Sequence, residues 1–168
     1  MALILPTDIP IATAESAFLA HFGQVLEISG IRSRNAFAFK ETASAFRSVW
    51  CRLEYRNYRS AWTKATACGL VDPLSDWGSD IDLDHLIARR IARLNGFANW
   101  FIRLHPVYQE VNRSAGAGRE KHGIETRMPW RQEDGIIFAG ELEILKVLGH
   151  PVGNRADPTI LFDRQVFR

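Results

Sequence analysis

The sequence predicts an α+β protein with a helical N-terminal half, a central unit of strand, connection, strand and helix, and a helical C-terminal extension. Three observations predict it. Apolar residues recur at helical spacing through most of positions 1–70. Two short alternating stretches, at 81–85 and 100–104, follow a segment rich in turn residues. One more amphipathic pattern, at 140–148, is closed by Gly149 and Pro151. The organisation read from these patterns is a helical N-terminal region at 1–70, a core at 71–125, and an extension at 126–168 packed on the same domain. A chain of 168 residues suffices for one sizeable core.

Between Ile11 and Ile28, Phe18, Leu19, Phe22, Val25 and Leu26 are spaced as on one helix face, with Gly30 as its stop. A longer helix is expected from about Phe39 to Cys68, with Phe46, Val49, Trp50 and Leu53 along one side and Gly69 at its end. Pro73, Ser75, Asp76 and Gly78 then mark a loop. Ile81 to His85 alternates as a short strand, Leu86 to Leu94 is basic and helix-compatible up to Asn95-Gly96, and Trp100, Ile102 and Leu104 share one face of a second strand. Pro106 suits the first turn of a helix, where its missing N–H costs nothing, and Asn112 falls near the end of that helix. A strand is expected at 159–162.

The net charge of +2 and the pI near 8.7 are mild, but the charges are unevenly placed. Eight bases from Arg32 to Lys64 face only Glu41 and Glu54, and Asp72, Asp76, Asp80, Asp82 and Asp84 follow without an intervening base. A basic face beside an acidic pocket suits a polyanion held over a cation. Cys51 and Cys68, if carried on one helix, lie roughly 25 Å apart and do not bridge, so both are expected as buried thiols of a reducing compartment. The start has no basic segment before its short apolar run, and no run approaches the ~18 apolar residues of a membrane span, so a cytoplasmic protein is expected.

The stretch from Ser79 to Lys121 carries the chemistry. Asp84-His85 closes the first strand, and Val111-Asn112-Arg113 lies on the helix after the second. In this order the segment resembles the HNH endonucleases of the His-Me finger, or ββα-metal, superfamily. The nuclease domain of RNA-guided DNA-cutting enzymes has a similar Asp-x-Asp-His start and Asn-Arg finish, comparable to Asp82-Leu83-Asp84-His85 and Asn112-Arg113 in this chain. The resemblance implies a ββα-metal core in which Asp84 and Asn112 bind one divalent cation, most readily Mg²⁺ with Mn²⁺ as a substitute, and His85 is the general base. Asp82 is a further candidate ligand. Hard oxygen donors suit Mg²⁺, which keeps several waters and accepts substrate phosphate oxygens. His titrates near neutrality, where water must be deprotonated. Arg89, with Arg90 and Arg93 nearby, would grip the scissile phosphate through a guanidinium, and Asn99 would orient the His85 ring.

Two features depart from the family pattern. The last ligand position, a His in many members, falls among Glu120, Lys121 and His122, and the connection between the strands is an unusually basic helix. His21, His105 and His150 stand at no metal-binding spacing and read as surface or packing residues.

Two other readings use the same residues. Asp80, Asp82 and Asp84 on one strand face resemble the two-metal carboxylates of polymerase-beta-like nucleotidyltransferases, although Gly69-Leu70 is a poor match to that family's phosphate-cradling turn. A non-catalytic nucleic-acid-binding or toxin-neutralising module would use aromatics interleaved with bases, as in Trp50, Arg52, Tyr55 and Arg56. The expected function is metal-dependent cleavage of phosphodiester bonds, in DNA more than RNA, by an antibacterial effector with an immunity protein, a mobile-element endonuclease or a phage-defence enzyme.

Overall fold

Ala36, Phe37, Ala38 and Phe39 are all fully buried, as are Val49, Trp50 and Cys51. An amphipathic helix leaves part of every turn exposed, whereas a strand covered on both faces buries consecutive residues. The computed structural model, which describes residues 9–42, 47–117 and 130–148, folds both segments as strands. They belong to a curled antiparallel sheet of eight strands.

The elements in chain order are β1 (Pro10–Thr13), α1 (Ser16–Leu19), β2 (Gly23–Leu26), β3 (Ala36–Glu41), β4 (Arg47–Arg52), α2 (Tyr58–Ala67), β5 (Ile81–His85), α3 (Arg89–Leu94), β6 (Phe101–Tyr108), α4 (Gln109–Ala117), β7 (Gln132–Glu133), β8 (Ile136–Phe138) and α5 (Glu141–Val147). A 3₁₀ turn, Leu74–Trp77, precedes β5. The sheet runs β2-β3-β4-β6-β1-β8-β7, and β5 pairs with β6 off this path. Strands from the beginning, middle and end of the chain are thus joined through β6 and β1.

This architecture overturns the expected helical N-terminal half and helical C-terminal extension. The first expected helix, 11–28, is β1, the single-turn α1 and β2; the second, 39–68, is β3, β4 and only then a helix, α2. Phe, Val and Trp favour a pleated, packed surface, and here sheet burial outweighs their accidental helical spacing. In the extension, β7 and β8 form a hairpin before the helix expected at 140–148, which is present as α5. The turn between β7 and β8 has positive φ at both Asp134 (45°) and Gly135 (76°), the two-residue geometry that matches strand twist. Glu143 fixes the start of α5 by accepting hydrogen bonds from the Gly140 amide (2.9 Å) and the Trp130 indole (3.1 Å). The strand expected at 159–162 lies outside the described residues.

The sheet is packed on both sides. Phe37, Phe39, Trp50 and Phe101 form one cluster with Leu19, Ile136 and Phe138. Residues of opposite parity, Ala36, Ala38, Val49, Cys51 and Leu104, meet Ala61, Trp62 and Ala65 of α2. The facing alanines let the helix approach the strands closely, and burying each large apolar side chain contributes roughly 1.5–3 kcal/mol. A third cluster joins Ile102 to Ile91 and Ala92 of α3 and Ile144 of α5. Cys51 is buried in β4 and Cys68 is exposed at the end of α2; both are free, which corrects the expectation of two buried thiols.

Candidate functional site

Strand β5 forms because apolar and acidic residues alternate from Ile81 to His85. Leu83 is buried against Leu104 and Trp62, while Asp82 and Asp84 remain half-buried. The strand pairs antiparallel with the second half of β6, placing Asp84 opposite His105 and His85 opposite Leu104. Side chains directly opposite one another share a face, and neighbours along a strand alternate. Asp84 and His105 therefore lie on one side of the hairpin and His85 on the other. Residues 81–117 thus run as strand, helix, strand and helix, with α4 packed against both strands. The hydrogen bond from the Gln109 amide to the Asp80 carbonyl, 2.9 Å, ties the start of α4 to the residue before β5. Strand β6 runs through Pro106 to Tyr108, so α4 begins three residues later than Pro106 suggests.

His85 is 1 % exposed, with the Tyr58 ring centroid 4.8 Å from its own. Its Nε2 is buried and finds no hydrogen-bond partner among the described residues. Such an atom forfeits about 1–3 kcal/mol until a partner arrives. Burial, with help from the Arg89 and Lys146 charges, lowers the imidazole from 6.5 to about 4, so the ring is neutral at neutral pH. The ring packed on it is Tyr58. Asn99 is exposed in the turn leading into β6 and makes no bond to Nε2.

The carboxylates are drawn to different helices. Asp84 pairs at 3.6 Å with the Lys146 ammonium of α5, whose side chain is 3 % exposed. Asp82 pairs at 3.8 Å with Arg59 of α2. Asp80 is exposed in the turn before β5. Of the Asp80 and Asp82 pair that a two-metal nucleotidyltransferase would use, Asp80 therefore lies outside the strand and Asp82 is held by Arg59. Arg89, the first residue of α3, lies 4.0 Å from Glu54, and its Nε is buried without a hydrogen-bond partner among the described residues. Arg93 holds Glu54 with two hydrogen bonds, 2.7 and 2.9 Å, and these lower the Glu54 carboxyl. Arg90 is exposed. Asn112 is half-buried on α4 beside the buried Val111, and Arg113 donates to Gln109 at 3.1 Å. Glu120, Lys121 and His122 lie outside the described residues, as does His150; His21 is exposed.

Among the described residues, no group of three or more His, Cys, Asp and Glu gathers as a ligand set. A one-metal site of the HNH type asks for less, one carboxylate and one amide oxygen, both hard donors of the kind Mg²⁺ prefers. Asp84 and Asn112 fit a divalent cation in donor type, and the partnerless His85 Nε2 follows Asp84 directly in the chain. Lys146 already supplies one positive charge to Asp84.

Lys146, Tyr58, Arg59 and His105 were not legible as site neighbours. A lysine in an amphipathic helix and a tyrosine at a helix start carry no spacing signal that points to a residue tens of positions away. No family model, curated protein or solved structure matches the chain. Among the described residues no helix is long and apolar enough to cross a membrane.

Proposed function

We propose that the chain hydrolyses phosphodiester bonds of nucleic acid, DNA in preference to RNA, as a metal-dependent endonuclease of the HNH type. The observation that carries this reading is the buried Nε2 of His85, without a hydrogen-bond partner among the described residues, on the hairpin against which the Asn112 helix packs; Asp84, the residue before it in β5, faces the other side of that hairpin. His85 would take the proton of the attacking water, a role for which its neutral form is suited. Arg89 and Lys146 make the surroundings positive and would draw in a phosphate; the guanidinium of Arg89 can hold two of its oxygens. Asp84 and Asn112 would hold the divalent cation, with Asp82 two residues away on the same strand face. When bound, Mg²⁺ or Mn²⁺ would neutralise charge building on the phosphate and the departing oxygen.

The chain would act in the cytoplasm of its own cell or, as an exported antibacterial effector, in that of a target cell, where an immunity protein would neutralise it. Plasmid cleavage by wild-type and His85→Ala protein, with Mg²⁺ or Mn²⁺ and with chelator, tests the reading. Nicking that needs both metal and His85 is the expected result. Full activity in a folded His85→Ala protein would overturn the assignment of the base. A folded protein that binds metal without cleaving would favour nucleotidyl transfer, and one that binds no metal would favour a non-catalytic binding module.

A further inference from the structure

Strand β4 pairs with the first half of β6, from Phe101 to Arg103, and the two strands part beyond it. A cavity of about 350 Å³ opens where they separate. Its walls include Arg47 and Ser48 from the start of β4, Trp62 from α2, Trp77 from the 3₁₀ turn, and His105 from β6. The volume is at the small end of ligand sites, suited to one flat ring system with a short polar appendage.

The lining has the chemistry of a nucleotide site. Trp77 keeps 39 % of its surface exposed, a large indole left at the wall of a cavity, and meets the His105 ring edge-on at 5.7 Å. Trp62 is buried, its indole N–H already donated to the Asp72 carbonyl at 3.2 Å, so its ring contributes surface rather than a donor. Ser48 accepts from the Trp50 indole at 2.9 Å, which leaves its own hydroxyl proton to donate. Arg47 spends one Nη on the Gly69 carbonyl at 2.6 Å, and a guanidinium carries five N–H donors in all. Aromatic walls, a hydroxyl donor and a cation together suit an unpaired base and its phosphate.

The position adds to the chemistry. His105 is the direct cross-strand partner of Asp84, so the cavity wall and the candidate ligand are neighbours on one hairpin. We propose that this cavity is a base subsite that takes one unpaired nucleobase of single-stranded or locally opened DNA beside the reacting phosphate. The proposal rests on the nuclease reading for its placement, but binding can be measured without cleavage.

The test is a fluorescence-anisotropy titration of labelled oligodeoxythymidine and of a blunt duplex, in chelator, with wild-type, Trp77→Ala, Trp77→Phe and His85→Ala proteins. Saturable binding that prefers the single strand, weakens about ten-fold or more in Trp77→Ala, and is retained in Trp77→Phe and His85→Ala is the expected result. Because Trp77 belongs to a surface 3₁₀ turn and to no buried core cluster, the alanine protein should fold, and its circular dichroism is compared with wild type. Equal affinity for both strand forms, or Trp77→Ala binding like wild type, would overturn the subsite. Trp77-dependent binding without any plasmid cleavage would keep the subsite and remove the hydrolytic reading. His85-dependent cleavage with single-strand affinity indifferent to Trp77 would do the reverse.

Discussion

Two buried histidines make the protein acid-sensitive in a defined direction. Burial is the first cause for both: His85 falls to about 4 and His105 to about 3, against 6.5 when exposed. Between the folded and unfolded values the unfolded chain binds the extra protons, so this stabilisation is complete above about 6.5 and is lost as pH falls towards 4 and 3. Each histidine contributes up to ~1.4 kcal/mol per pH unit in that window. Urea unfolding should therefore show stability about 2–4 kcal/mol lower at pH 5 than at pH 7, and a flat profile over this range would contradict the buried neutral rings. Lys146 gives a second expectation at this scale. Its ammonium competes with any cation for Asp84, so Lys146→Met should bind Mg²⁺ roughly five-fold more tightly by calorimetry. Unchanged or weaker binding would place the cation away from Asp84. Asp84 and His85 were conspicuous in the sequence because they close an alternating strand next to a turn. Their partners were not, because Lys146 and Tyr58 reach them only through the packing of α5 and α2.

At the level of elements, β5, α3 and α5 were readable because each is bounded by its own punctuation: Gly78 before β5, Asn95-Gly96 after α3, and the apolar period of α5. The N-terminal strands were not, since β3 and β4 are covered on both faces and so lack the polar alternation by which a strand announces itself. The β7–β8 hairpin did carry a signal, the Asp134-Gly135 pair between short apolar-flanked segments, and it corrects the expectation of a helical C-terminal extension. That turn is also a sensitive point. Gly135 holds φ at 76°, and a methyl group there would run into the ring of Phe18. Gly135→Ala should cost at least about 1 kcal/mol and lower the melting midpoint, whereas Gly69→Ala, with a similar φ but open space around it, should cost less. Equal losses would mean that the turn geometry alone, without the Phe18 contact, sets the penalty.

Over the whole molecule, strand β6 organises the fold: its first half is shared by β1 and β4, and its second half carries β5. Ile102, fully buried where β1, β4 and β6 meet, should lose about 2–5 kcal/mol on truncation to alanine. The loss should appear in one unfolding transition, with tryptophan fluorescence and far-ultraviolet circular dichroism coinciding. Separate transitions would mean that the β2-β3-β4 meander melts independently. Long-range pairing of this kind has no local sequence signature, which is why the elements from 81 to 117 were easier to read than the sheet that holds them. The same pairing sets a timetable for synthesis. Strands β2, β3 and β4 can close on one another as soon as Arg52 has left the ribosome, but β1 pairs with β6 and β8, which are made some 90 residues or more after it. Until then the nascent chain carries Ile11 and Ala12 uncovered beside an open strand edge, the kind of surface on which a chaperone acts and from which a newborn chain aggregates.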